Sequence, residues 1–129
     1  MPAKSEIPTP VIAIIGGGFS GGGVAWHLAA SLPTTGPRIV VFEPREKLGA
    51  GLAYDTIDPV HRINVPATKM SLDPSRPEHF VEWIGARDAV AGDMDVYAAD
   101  GQLFPRRQVF GDYVSAQIQP FVESGRIEH

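Results

Sequence analysis

The sequence predicts an α/β fold in which a parallel β-sheet is flanked by helices, and three observations support this prediction. Residues 11–15 and 39–42 are short, unbroken apolar runs, as is typical of parallel strands buried on both faces. The first run leads directly into a glycine-rich turn, GGGFSGGG, over residues 16–23. The segment between the two runs has helical composition, so strand, helix and strand form one βαβ unit.

Before the first strand, residues 1–10 are rich in proline and carry Lys4 and Glu6, and we expect a disordered lead-in ahead of one domain over residues 11–129. The chain has no cysteine, which excludes disulfides, thiolate zinc sites and thiol catalysis. Its net charge of −4 gives no reason to expect nucleic acid or a membrane surface as a partner. No apolar run is long enough to span a bilayer, so we expect a cytoplasmic protein.

The turn after the first strand matches the dinucleotide-binding pattern G-x-G-x-x-G at Gly16, Gly18 and Gly21. The first glycine permits the tight turn, the second lets the backbone approach a pyrophosphate, and the third lets the helix pack against the strand. The amides that open the helix, which include those of Phe19 and Ser20, would face the phosphates. Since strand and helix flank the turn as the pattern requires, we predict a Rossmann-like nucleotide-binding fold.

The same turn also matches the nucleophile elbow G-x-S-x-G, with Ser20 as the candidate nucleophile. A hydrolase would need an acid and a histidine downstream, and no such pair stands in a convincing position. A metal site is not predicted either, because the histidines at positions 27, 61, 79 and 129 lack ligand spacing. The glycine pattern is therefore the better interpretation of this turn.

The next elements follow in order along the chain. A helix near residues 20–32 presents Val24, Leu28 and Leu32 at helical spacing, and a proline- and glycine-containing loop separates it from the second strand. Glu43 ends that strand, 22 residues after Gly21. An acidic side chain at this position accepts hydrogen bonds from the ribose of an adenine dinucleotide and disfavours the 2′-phosphate of NADP.

After Glu43 the chain predicts a long ordered loop rather than an early helix. A second glycine turn lies at residues 49–54, and scattered apolar residues through position 72 indicate order. A simple NAD-binding or S-adenosylmethionine-binding domain usually places a helix soon after the second strand, so this loop counts against both classes without excluding them.

Two further helices and the start of another strand complete the chain. Ser75 and Glu78 form a capping box with Pro77 in the first turn, which predicts a helix near residues 77–86. Apolar residues at i, i+4 intervals predict a last helix near residues 107–124, which Pro120 should kink or shorten. Gly125 should end this helix, and residues 126–128 begin as a strand does.

Several segments together resemble the amino-terminal part of the FAD/NAD(P)-binding oxidoreductases, the flavoproteins that bind two dinucleotides. They are the first glycine turn, GAGLAY at residues 49–54, INVPA at residues 63–67, FVEWI at residues 80–84 and PRRQVFGDY at residues 105–113. The chain is more distantly similar to the flavin-dependent N-hydroxylating monooxygenases of lysine and ornithine. The resemblance covers nearly all of the chain from residue 11 onward.

This resemblance implies a bound FAD that NAD(P)H reduces, and a small-molecule substrate. The glycines of the first turn would hold the FAD pyrophosphate, and Glu43 would hold the adenosine ribose. Arg45 would flank the adenine or its ribose, while Gly51, Asn64 and Val65 would run beside the flavin. The segment 106–113 would brace the fold. No catalytic acid or base can be named, because the reactive atoms of a flavoenzyme belong to the cofactor.

Members of this family are usually several times longer than the 129 residues here, and a second nucleotide pattern is missing from this sequence. We therefore expect an incomplete domain whose partner is the remainder of the enzyme. A single-domain NAD- or S-adenosylmethionine-binding protein and a non-catalytic fragment of the flavoprotein fold remain the alternatives.

Overall fold

A computed structural model describes residues 6–129 of the protein. The strands β1 (Val11–Ile15), β2 (Arg38–Phe42) and β3 (Ile127–Glu128) form one parallel sheet in the order β1-β2-β3.

Of the predicted disordered lead-in, residues 1–5 lie outside the described residues. Residues 6–10 are exposed and carry neither helix nor strand, and the carbonyl of Pro10 accepts a hydrogen bond from the Arg38 amide at 2.9 Å.

Four helices accompany the sheet in the described part of the chain, namely α1 (Phe19–Ser31), α2 (Gly51–Tyr54), α3 (His79–Arg87) and α4 (Arg107–Glu123). A short 3₁₀ turn covers Ala67–Lys69. The predicted α/β class, the first two strands, both long helices and the start of a third strand are confirmed. The loop after Glu43 is ordered as predicted, and the short helix α2 lies within it.

The helix α1 meets the core mainly through small residues. Its buried residues are Gly22, Gly23, Ala25 and Ala29, while Val24 is 51% exposed. A side chain added at Gly22 would lie 2.8 Å from the Cα of Gly49, so this helix packs through its smallest residues. Of the three residues at helical spacing, Val24 is thus exposed, whereas Leu28 packs against the core.

The predicted capping box before α3 is also wrong. The Ser75 side chain and amide both bond the carboxylate of Asp73, at 2.6 and 2.9 Å, which makes a local turn instead of a helix cap. The helix consequently begins at His79, and Glu78 is its N-cap without a side-chain bond.

The helix α4 contains Pro120 and continues for about one turn beyond it. The proline therefore does not shorten the helix, and the Pro120 carbonyl accepts a hydrogen bond from the Ser124 amide at 3.1 Å where the helix ends. Tyr113, Val114 and Ile118 of α4 are buried in the core.

Only one face of the sheet is covered by the described residues. Ile39, Val41 and Ile127 are almost fully buried on the side where α1 and α4 pack. On the opposite side Ile15 is 82% and Phe42 56% exposed. The expectation that the first two strands are buried on both faces is therefore wrong for the described sheet, because residues 6–129 leave this side of both strands largely exposed.

The loops around α3 are fastened by polar contacts to the core. Arg62 forms two hydrogen bonds with the nearly buried carboxylate of Asp93, at 2.6 and 2.9 Å, and a third with the carbonyl of Phe104 at 3.0 Å. The buried hydroxyl of Tyr113 accepts a bond from the Leu72 amide at 3.2 Å and contacts Nδ1 of His79 at 3.1 Å.

Replacing Tyr113 by phenylalanine should lower the free energy of unfolding by about 1–3 kcal/mol, because the buried Leu72 amide loses its acceptor. Urea unfolding of the two proteins measures the difference. Tyr97→Phe is the matched control, since Tyr97 is 64% exposed and its change should stay within about 0.5 kcal/mol. Equal losses in both variants would contradict this role of the Tyr113 hydroxyl.

Candidate functional site

The first glycine turn lies at the carboxyl end of β1 and is fixed by backbone contacts. Gly16 adopts a φ of +91°, which favours glycine, and its amide donates to the carbonyl of Phe42 at 2.9 Å. A Cβ at Gly21 would overlap the carbonyl oxygen of Gly16. The turn and the first turn of α1 therefore touch backbone to backbone, which leaves no room for a side chain.

The start of α1 presents backbone donors that the helix does not use. The first intrahelical bond runs from the amide of Gly22 to the carbonyl of Gly18 at 2.8 Å, and no side chain caps this end. The amides of Phe19, Ser20 and Gly21 thus have no intrahelical acceptor. Together with the positive end of the helix dipole, these donors suit an anionic group such as a pyrophosphate.

Glu43 joins the end of β2 to the glycine turn. Its side chain is only 5% exposed, and its Oε2 accepts a hydrogen bond from the Gly17 amide at 2.8 Å. Its Oε1 accepts bonds from the Arg45 amide and guanidinium, both at 3.2 Å. The Gly17 amide above all, and then the Arg45 amide, hold the pKa of Glu43 below its ordinary value, which keeps the carboxylate charged at neutral pH.

Gly17 belongs to this arrangement although the G-x-G-x-x-G pattern leaves its position open. A Cβ there would lie 2.6 Å from the Leu48 side chain and 2.8 Å from Cβ of Glu43. Its carbonyl also accepts a hydrogen bond from the Gly49 amide at 2.8 Å. In the sequence, the run of three glycines at 16–18 was the feature that could have indicated this role of Gly17.

The second glycine turn packs directly on the first. Gly49 and Gly51 have φ values of +94° and +58°, and a Cβ at Gly51 would lie 2.9 Å from the Cα of Gly18. A Cβ at Gly49 would lie 2.5 Å from the Val114 side chain. The two turns therefore form one backbone surface. The helix α4 packs against this surface through Val114.

Arg45 lies between two carboxylates at the edge of this surface. Its guanidinium pairs with Glu43 at 3.2 Å and with Asp55 at 3.6 Å, and both Arg45 and Asp55 remain partly exposed. Asp55 follows α2 directly, and its amide donates to the carbonyl of Gly51 at 3.1 Å. Asp55 was not singled out from the sequence, because its pairing with Arg45 depends on how the loop folds back.

An aromatic cluster links the second glycine turn to the start of α4. The ring of Phe110 lies 5.4 Å from that of Phe19 and 4.8 Å from that of Tyr54. A Cβ at Gly111 would overlap the carbonyl oxygen of Tyr54. Arg107 adds bonds from its amide to the His61 carbonyl at 2.8 Å and from its Nε to the Arg62 carbonyl at 3.1 Å, so the segment 106–113 braces these loops.

The structure brings most of the predicted site residues together. The first turn, Glu43, Arg45 and Gly51 form one connected cluster at the carboxyl edge of the sheet. Asn64 and Val65 lie on an exposed loop, which the Ile63 amide anchors to the Pro105 carbonyl at 3.1 Å. Within residues 6–129 no hydrogen bond links these two residues to the glycine turns.

His129 stands beside this cluster and was not predicted as a site residue. It follows β3, and its Nε2 lies 2.8 Å from the carbonyl oxygen of Glu43, to which it donates. Because the carboxyl ends of neighbouring parallel strands meet at one edge, the order of the strands was the information needed to place it there.

Ser20 makes no hydrogen bond to a histidine in residues 6–129, and no group of three or more metal-ligating side chains is present there.

A cavity of about 480 Å³ lies at the opposite, amino edge of the sheet, where Arg38 and Arg126 line it. None of the described helices is both long and apolar enough to cross a membrane.

Comparison with known proteins adds one finding. The model of the family described as FAD-NAD(P)-binding matches residues 13–129, a range that includes both glycine turns, Glu43 and all of α4. No curated protein and no solved structure matches the chain.

Proposed function

The chain belongs to the FAD-NAD(P)-binding family, and we propose that it holds FAD as the amino-terminal part of a flavin-dependent oxidoreductase or monooxygenase. In this proposal NAD(P)H is the reductant, the substrate is a small molecule, and the compartment is the cytoplasm. The flavin supplies the redox chemistry when it is bound, and the residues of this chain bind and orient it.

The observation that carries the proposal is the bond between the Glu43 carboxylate and the amide of Gly17. It brings a charged acceptor to the same edge as the unpaired amides of Phe19 and Ser20. Donors for a pyrophosphate and an acceptor for a ribose therefore stand side by side, as a dinucleotide requires. In this proposal the turn at 16–21 holds the pyrophosphate, and Glu43 and Arg45 hold the adenosine.

The second glycine turn favours FAD over NAD or S-adenosylmethionine. Gly49 and Gly51 lie against Gly17 and Gly18 and continue the backbone surface beyond the pyrophosphate position. The half-exposed ring of Phe19 and the neighbouring Tyr54 extend the same surface. A longer dinucleotide with a second planar ring system would use this extension. We propose that Gly51, Asn64 and Val65 run beside that ring system.

We further propose that the remainder of the enzyme covers the bare face of the sheet. Ala13 and Ile15 pair in register with Val40 and Phe42, and this apolar set is largely exposed, whereas parallel sheets are normally covered on both faces. From strand spacings the patch is on the order of 200 Å². A stable dimer buries about 800 Å² on each partner, so this face alone does not suit a second copy. Further polypeptide of the same domain suits it better.

Calorimetric titration of the full chain with FAD, NAD and S-adenosylmethionine tests this proposal. We expect FAD to bind more tightly than the other two ligands by at least about tenfold. Preferential binding of NAD or S-adenosylmethionine by the folded protein would overturn the flavoprotein assignment and favour a single-domain binding protein.

A further inference from the structure

Arg45 is held at both ends by carboxylates that reach it from different parts of the chain. Its NH1 lies 3.2 Å from Oε1 of Glu43, and its Nε lies 3.6 Å from Oδ2 of Asp55. Glu43 is fixed to the first glycine turn through the Gly17 amide, and Asp55 is fixed to the second through the Gly51 carbonyl. The guanidinium is therefore oriented by both turns.

The charges of this group do not cancel. Two carboxylates and one guanidinium leave one net negative charge at the edge where the adenosine ribose is proposed to lie. Arginine is the usual partner of a ribose 2′-phosphate in dinucleotide sites. Here its NH1 and Nε already face carboxylates, at 3.2 Å from Glu43 and 3.6 Å from Asp55.

Resting on the proposed function, we infer that Asp55 is a specificity-determining residue of the adenosine site. By pairing with Arg45 it keeps the guanidinium from serving a 2′-phosphate, and it adds a negative charge that repels one. Without Asp55 the guanidinium would be held only at NH1, by Glu43, and its Nε would have no carboxylate facing it and could serve a phosphate. The pair of carboxylates therefore selects an unphosphorylated ribose, as in FAD.

Titration of the full chain with ADP-ribose and with 2′-phospho-ADP-ribose tests this inference, because the two ligands differ only in the 2′-phosphate. In the natural protein ADP-ribose should bind more tightly. Asp55→Asn removes one negative charge from the edge where the ribose is proposed to lie, so the preference for ADP-ribose over the 2′-phosphorylated ligand should narrow by about fivefold. Asp55→Glu keeps the charge and should keep the preference.

Asp58→Asn is the matched control, since Asp58 is a similarly exposed acid on the same loop that does not contact Arg45. The preference of Asp58→Asn for ADP-ribose should equal that of the natural protein. This result would separate the effect of the Arg45 contact from a general effect of charge. Thermal unfolding of each variant checks that the fold is retained.

An unchanged preference in Asp55→Asn, with ADP-ribose still bound, would overturn the inference about Asp55 and leave dinucleotide binding intact. A natural protein that prefers the 2′-phosphorylated ligand would overturn it in the same way. A folded natural protein that binds neither ADP-ribose nor FAD would overturn the proposed function, and the inference with it.

Discussion

Replacing Gly21 by alanine is expected to abolish measurable FAD binding and to lower the free energy of unfolding by about 1–3 kcal/mol. The added methyl group would overlap the carbonyl oxygen of Gly16, which is backbone and cannot rotate away as a side chain can. The turn would have to open, and the unpaired amides of Phe19 and Ser20 would move from their positions. FAD titration and urea unfolding measure the two effects.

Gly85→Ala provides the control for this substitution. Gly85 lies within α3, and a Cβ there would meet nothing within 4 Å. Alanine should therefore stabilise the protein by about 0.5–1 kcal/mol through helix propensity and leave FAD binding unchanged. If Gly21→Ala bound FAD as well as Gly85→Ala does, the close contact at the first turn would not be needed for the site.

The second large effect is expected from Glu43→Ala, which should weaken FAD binding by at least about tenfold. The substitution removes the proposed acceptor of the ribose hydroxyls and leaves the amide of Gly17 without its partner. The loss should be large because each hydrogen bond to a charged group contributes about 1.5–3 kcal/mol. Glu46→Ala is the control, because Glu46 is an exposed acid three residues along the same loop. Equal affinities of the two variants would contradict the role of Glu43.

The same carboxylate predicts how binding depends on pH. Hydrogen bonds from the Gly17 and Arg45 amides lower the pKa of Glu43 from its ordinary value of 4.5. A lowered pKa in the folded state means that folding favours the charged form of Glu43. The contribution of this carboxylate to the free energy of unfolding is therefore complete above pH 4.5 and is lost as the pH falls through the lowered pKa. FAD affinity should therefore be insensitive to Glu43 titration from neutral pH down to about pH 5.

The sequence predicted the parts of the fold that depend on local pattern. The strands β1 and β2 follow from unbroken apolar runs, and α4 follows from its i, i+4 spacing. Glu43 could be placed because the end of a strand and its distance from Gly21 are both local facts. The structure connects this residue to the first turn through the Gly17 amide.

The parts that local pattern missed depend on packing between distant segments. A backbone hydrogen bond joins Gly17 and Gly49 across two loops, and a Cβ at either glycine would crowd side chains of other segments. The buried face of α1 is its small-residue face, and Gly22 lies against Gly49, a contact that the sequence of the helix alone does not reveal. Asp55 and His129 reach Arg45 and Glu43 only once the loops and the strand order are known.

The measurement that tests the central claim most directly is the near-ultraviolet and visible absorbance spectrum of the purified full chain, mixed with FAD and then desalted. We expect a flavin band that stays with the protein and is lost in Gly21→Ala. A folded protein that retains no flavin, and that binds NAD or S-adenosylmethionine instead, would contradict the claim that this chain is the FAD-holding part of a flavoenzyme.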